Sequence, residues 1–275
     1  MKLRFLGTAA AEGVPSLFCR CDVCKNARER GGREIRTRSQ AIVNDCLLID
    51  FPSDAFSHCT QYEIDLSRVN NCIITHVHGD HTFPWELHHL RKGNSVLPED
   101  YEGFHLWGSE DIPERFDGPF KSVNDRLKLH TVLPFEPFSL CGLKITALKA
   151  KHGTKNPYFY MIEDGEKALL YAHDTETFPE ETWEYLKACG VKFDMVSLDC
   201  TGGAAEYIEK YSHMYLGENK KCRQRLCELG LADENTKFIL NHFSHNGESV
   251  GYKEFCEIAE PLGFEVSYDG MEVIC

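Results

Sequence analysis

The 275-residue sequence predicts a mixed α/β protein. Short apolar runs bounded by turn residues recur along the chain, with strand length rather than helix length. Helical stretches lie between some of them and become more frequent towards the end. The composition, 42% hydrophobic and 27% charged, is that of a globular chain able to bury a core. No low-complexity linker, repeat or charge block marks a boundary, so the reading is one domain spanning 1–275.

Taken in order, the runs at 2–6, 40–43, 46–49, 72–75, 104–107, 143–148, 158–162, 168–171, 195–198, 238–240 and 265–268 read as strands. The clearest helices are 179–188, 218–229 and 251–260. In the first, Glu180 and Glu181 near the start and Lys187 near the end complement the helix dipole. No apolar stretch approaches ~18 residues, so no membrane span is expected. The opening run at 1–7 reads as a strand and lacks the apolar core of a signal peptide.

Lys and Arg number 30 against 43 Asp and Glu, a net charge of −13. That balance argues against nonspecific nucleic-acid binding, which depends on neutralising phosphates. Thirteen cysteines, an odd number without a secretory signal, predict a reduced, cytoplasmic protein. Cys46, Cys72, Cys141, Cys189, Cys200 and Cys256 sit singly in apolar settings and read as buried small hydrophobes.

The chemistry concentrates after the strand that ends near Ile74. There the chain runs Thr75-His76-Val77-His78-Gly79-Asp80-His81, which presents four ligand side chains in one loop. Imidazole and carboxylate suit Zn, Fe or Mn. Four ligands do not complete two metals. Three further candidates also follow strands: His152, Asp174 and His242. In layered α/β folds, sites gather at one edge of the sheets.

This pattern, in this order along essentially the whole chain, resembles the metallo-β-lactamase superfamily. The resemblance implies a four-layer αββα sandwich and a two-metal site. It places His76, His78 and His152 on one metal and Asp80, His81 and His242 on the other, with Asp174 bridging. His at position 78, rather than Glu, is unlike the di-iron oxidoreductase branch and like the hydrolase branch.

A second cluster, Cys19-Arg20-Cys21-Asp22-Val23-Cys24, puts three thiolates within six residues, in a loop at about 15–30. Thiolates favour structural zinc, which takes four tetrahedral ligands. His245, three residues after His242, is free to face another site and is the candidate fourth ligand. This loop, with Gly7-Thr8, Glu12-Gly13-Val14-Pro15 and the paired His242 and His245, resembles the phosphoribosyl 1,2-cyclic phosphate phosphodiesterases of phosphonate catabolism. A related branch, in pyrroloquinoline-quinone biosynthesis, has a similar cysteine loop. In the phosphodiesterases a further histidine assists catalysis, and His213 stands where it is expected; its alternative reading is a surface residue capping a helix.

Two stretches depart from that family. The segment 95–119 is longer and more aromatic, and Gly153-Thr154-Lys155-Asn156-Pro157-Tyr158 lacks clear substrate-shaping residues. Asp50, at the end of the 46–49 strand, reads either as support for a ligand histidine or as a turn residue. Arg36 and Arg38 read either as phosphate contacts or, more simply, as a solvated basic face.

The expected function is therefore a metal-dependent hydrolase. Its favoured substrate is a small cyclic or nucleotide-like phosphodiester, with Asp80 and His213 catalytic. Two divalent metals (Zn, Mn or Fe) and one structural zinc are the implied cofactors. A homodimer is the candidate assembly. The competing readings are an iron-dependent oxidase or oxygenase of the quinone-cofactor type and a thioester hydrolase. The glyoxalase-like thioesterases carry a C-terminal substrate domain, and no such extension follows His245. A tRNA-processing nuclease would need a basic RNA-gripping arm that the sequence lacks. A non-catalytic binding module would be expected to lose some ligands, and here every position is filled.

Overall fold

The computed structural model describes residues 1–116 and 126–275. Strands β1 (Lys2–Gly7), β2 (Gln40–Val43), β3 (Leu47–Ile49), β4 (Asn71–Ile73), β5 (Phe104–Gly108) and β6 (Leu127–Thr131) belong to one sheet. The next strands build a second sheet: β7 (Pro137–Leu140), β8 (Leu143–Lys149), β9 (Tyr158–Glu163), β10 (Ala168–Ala172), β11 (Met195–Asp199), β12 (Lys237–Asn241) and β13 (Glu265–Val266). The last, β14 (Glu272–Ile274), returns to pair with β1 at the edge of the first sheet.

Both faces of each sheet are buried, so the strands read as apolar runs rather than alternations. In β2 and β3, Ala41, Val43, Leu47 and Ile49 face Ile145, Tyr160, Tyr171 and Ile239 of the other sheet. Their neighbours Ile42 and Leu48 point outward, onto Ala55 and Leu87. On the second sheet, Phe159, Leu170, Val196 and Phe238 pack outward against Trp183, Leu226 and Phe255. Those three lie on α4 (Glu180–Cys189), α5 (Leu216–Glu228) and α6 (Tyr252–Ala259). Helices α1 (Asp22–Arg30), α2 (Ala55–Gln61) and α3 (Asp111–Arg115) precede them in the chain. Three apolar layers between helices, sheet, sheet and helices make the αββα sandwich.

The structure adds to and corrects the sequence reading. Strands β6, β7 and β14 were not expected. Each is an edge strand with partly exposed residues and so shows no continuous apolar run. The cysteine loop is not wholly a loop: α1 begins right after Cys21 and carries Cys24 on its buried side. Of the lone cysteines, Cys72 and Cys200 are buried, but Cys141 and Cys189 are exposed and Cys46 and Cys256 half-buried. Cys141 lies in the turn between β7 and β8, and Cys189 at the last position of α4, where the core no longer covers them. Of the 95–119 segment, 117–119 lie outside the described residues. No described helix is long and apolar enough to cross a membrane.

Candidate metal centre

Strands β3 to β6 run parallel, and so do β10 to β13. Their carboxyl ends share one edge of the sandwich, where open α/β sheets place their sites. Asp50 follows β3, the 76–81 loop follows β4, His152 follows β8, Asp174 follows β10, Asp199 ends β11 and His242 follows β12. Asp50, Asp174 and His242 all adopt left-handed backbone, with φ of 65°, 51° and 62°. Such conformations persist in non-glycine residues only where the surroundings over-determine them.

The seven expected ligands converge. His78 Nδ1 lies 2.9 Å from His76 Nε2 and 3.1 Å from His152 Nε2. Asp174 Oδ2 lies 2.9 Å from both His81 Nε2 and His242 Nε2, and its Oδ1 lies 3.5 Å from His152 Nε2. Asp80 Oδ2 stands 3.2 Å from His81 Nε2. His76, His78 and His152 form one set with ligand atoms within 4.8 Å of one another, and Asp80, His81 and His242 form another. Asp174 touches members of both.

The donors fit divalent metal ions. His81 Nε2, Asp174 Oδ2 and His242 Nε2 are buried and make no hydrogen bond, although they lie against one another. Buried polar atoms are rarely left so, and lone pairs that face each other need a cation between them. Four of the five imidazoles present Nε2 because Nδ1 is occupied behind. His152 Nδ1 donates to Ser212 O at 3.3 Å and His81 Nδ1 to Asp50 Oδ2 at 2.7 Å. His76 Nδ1 meets Thr75 Oγ1 at 3.0 Å and His242 Nδ1 meets Thr201 Oγ1 at 2.8 Å. Such outer contacts fix ring orientation and tautomer. Burial pushes the Asp174 carboxyl up, but His242 and His81 outweigh it and hold it well below the usual range.

Asp50 is fully buried and accepts from His81, Thr75 N and Thr75 Oγ1, so it supports the candidate ligand His81 and is not a surface turn residue. Sequence reasoning missed its counterpart, Asp199. That carboxylate accepts from Thr201 N and Oγ1, both at 2.8 Å, from Asp174 N at 3.0 Å and from His213 Nδ1 at 2.8 Å. Its signal was an aspartate at the end of an apolar strand, as with Asp50.

His213 is not a helix cap on the surface. Its side chain is 16% exposed and its ring lies 4.9 Å from that of His152 and 5.5 Å from that of His242, measured between centroids. Burial pushes its pKa down, but Asp199 and Asp174 overcome this and hold it up at about 9.

Neither arginine is a solvated basic face. Arg36 is buried, donates to Thr8 Oγ1 and Ser267 O, and stacks 4.1 Å from the Phe243 ring. Its burial pushes it down to about 10. Arg38 pairs with Asp54 at 2.9 Å and donates to Ala11 O at 2.7 Å. Both brace the loops behind the site.

The second cluster also assembles. Cys19, Cys21, Cys24 and His245 bring their ligand atoms within 4.8 Å of one another, with Cys21 Sγ 3.7 Å from His245 Nδ1. Glu12 lies 3.7 Å from His245 Nε2 and accepts from Ser244 and Asn246. This set of three thiols and an imidazole suits tetrahedral zinc.

A family model described as a beta-lactamase superfamily domain matches residues 46–242. Over its whole length the chain is 28% identical to an octanoyltransferase of Porphyromonas gingivalis, aligned over 287 residues. It spans about half, 51%, of that protein's length. Among solved structures, a diphosphatase of the PhnP family matches with a TM-score of 0.73 at 19% identity, over 99% of this chain and 96% of that one. Zinc-bound PqqB from Methylobacterium extorquens matches with a TM-score of 0.72 at 19% identity, over 100% of both chains. At these identities the structural likeness is one of fold.

Proposed function

The chain belongs to the metallo-β-lactamase superfamily, and we propose that it is a metal-dependent hydrolase, a phosphodiesterase acting on small cyclic or nucleotide-like phosphodiesters. His213 carries this reading. It stands against the ligand cluster, its Nδ1 is held by Asp199, and no partner occupies its Nε2 among the described residues. An alkoxide leaving group needs a proton at this point, whereas a thiolate, with a pKa near ~8.5, does not.

In this proposal His76, His78, His152, Asp80, His81, His242 and Asp174 would hold two divalent metals. Such a pair supplies Lewis acidity at a phosphoryl oxygen and a nucleophile at neutral pH. The chain's own residues do the rest. Asp50 and Asp199 fix the imidazoles from behind. The oxygen of water joins phosphorus, one of its protons passing to solvent, as the P–O bond to the alcohol breaks, and His213 gives its proton to the leaving oxygen. His213 then recovers a proton from solvent, to which it is 16% exposed. A separate zinc would be held by Cys19, Cys21, Cys24 and His245, a four-ligand set that suits a structural role rather than chemistry.

The octanoyltransferase relative favours a second reading, hydrolysis of an acyl thioester. One screen separates the readings. Metal-loaded protein is offered bis-p-nitrophenyl phosphate, cyclic nucleotides, ribose cyclic phosphates, a phosphomonoester and an octanoyl thioester, with oxygen uptake followed alongside. The expected result is phosphodiester cleavage faster than monoester cleavage, with no oxygen consumed. Brisk thioester cleavage with no detectable phosphodiester cleavage overturns the phosphodiesterase reading.

A further inference from the structure

We propose that the cavity between α3 and the loop at 153–157 receives the non-reacting part of the substrate, and that Arg115 recognises an anionic group on it; this rests on the phosphodiesterase reading for the rest of the site. The two stretches that depart most from the family come together here. Asn156 N donates to Asp111 Oδ2 at 3.1 Å, and Asn156 Nδ2 donates to Asp111 Oδ1 at 2.9 Å and Glu110 Oε1 at 3.3 Å. Lys155 pairs with Glu110 at 3.1 Å and Asp111 at 4.0 Å. The chain thus builds a fixed wall out of the two segments.

That wall flanks an open cleft of about 450 Å³ lined by Val77, Asp111, Glu114, Arg115, Thr154 and Lys155. The volume is that of a small-ligand pocket. Its floor is the metal-binding chain itself. Val77 lies between His76 and His78, and Thr154 follows His152 by two residues. A Cβ built on Gly153 would stand 3.7 Å from His78 Cε1, and one built on Gly79 would stand 3.8 Å from Arg115 Nη2. The guanidinium therefore hangs beside the loop joining two ligands, at the mouth of the centre.

The charges around it are unequally committed. Glu110 and Asp111 are tied to Lys155 and Asn156, and Glu114 also attracts Lys155. Glu114 and Arg115 are adjacent on a helix, so their side chains leave in different directions. Among the described residues Arg115 enters no ion pair, and it is exposed. Thr154, which also lines the cavity, has its Oγ1 buried without a hydrogen-bond partner. A planar fork of donors in no ion pair matches a phosphate, phosphonate or carboxylate group.

The test is titration of the metal-loaded protein with thymidine 5′-monophosphate and thymidine 3′,5′-bisphosphate, which differ by one anionic group. The expected result is that the bisphosphate binds on the order of tenfold tighter or more, the scale of a charge-assisted contact. Arg115→Ala should bring the two ligands within about twofold by removing that contact, with monophosphate affinity and metal content unchanged. Arg115→Lys should retain part of the preference. The p-nitrophenyl diesters of thymidine 5′-phosphate, with and without a 3′-phosphate, should show the same pattern in KM, with kcat preserved. No preference in the wild-type protein, or an equal loss for both ligands in Arg115→Ala, overturns the subsite. If the preference appears and is abolished while neither diester is cleaved, the phosphodiesterase reading fails and the subsite stands. If the diesters are cleaved without preference, the reverse holds.

Discussion

Each sheet supports its half of the centre with the same device. In the first, Asp50 at the end of β3 takes His81 Nδ1 directly and reaches His76 through the Thr75 hydroxyl. In the second, Asp199 at the end of β11 takes His213 Nδ1 directly and reaches His242 through the Thr201 hydroxyl. The imidazoles differ in what they face. His76, His81 and His242 turn Nε2 onto other ligands, whereas His213 is 3.8 Å from Asp174 by the same Nδ1 that Asp199 holds. His213 is supported as His81 is, and it borders the cluster with its Nδ1 committed to Asp199. On the proposed reading, the carboxylate of the first sheet would support two ligands, and that of the second one ligand and one acid.

Breaking the first half should have the largest effect. His78→Ala removes the nitrogen shared between His76 and His152. Turnover should fall by ~10³-fold or more, as when a member of a catalytic unit is lost. Elemental analysis should show the pair of metals depleted and about one zinc retained, against about three ions in the wild-type protein. Full metal content in this variant would refute the ligand assignment.

Breaking the second half should be milder and chemically distinct. His213→Ala should lower kcat by roughly 10²–10³-fold, the scale of a lost general acid, without changing metal content. The loss should shrink for p-nitrophenolate esters, whose leaving group needs little protonation. An equal loss across leaving groups would make His213 a positioning residue, and the contrast between the two halves would disappear.

The smallest effect on activity belongs to the cysteine cluster, which shares a segment with the centre through His242 and His245 but lies outside both halves. Cys24→Ser should lose about one zinc and melt several degrees lower, since ~1 kcal/mol shifts a chain of this size by about 2–4 °C. Activity should fall less than about tenfold, an outer-support effect. The reason is that Phe243 is already pinned by backbone bonds, its N to Thr8 O at 2.8 Å and its O to Ala10 N at 2.9 Å. A variant with full zinc and unchanged melting would return the three cysteines to ordinary thiols.

Much of this was legible in the sequence because the signals are short-range. Doubly buried strands declare themselves as apolar runs, and eleven of the strands were read that way. The 76–81 loop and the Cys19–Cys24 triplet carry their candidate ligands within a few residues, so spacing alone brings them together. Asp174, His152 and His242 were found because each follows a strand and all such strand ends share one edge. The edge strands β6, β7 and β14 escaped because one-sided burial leaves no run to see. Which residue supports which imidazole was likewise a tertiary decision. Asp199 reaches Asp174 N and, through the Thr201 hydroxyl, His242 only because β11 lies between β10 and β12, which sets strand ends from distant parts of the chain side by side. Charge could not place Arg36 or Arg115 either. One guanidinium is buried against Phe243 and the other stands at the mouth of the centre, since packing decides whether a cation braces the fold or faces a ligand.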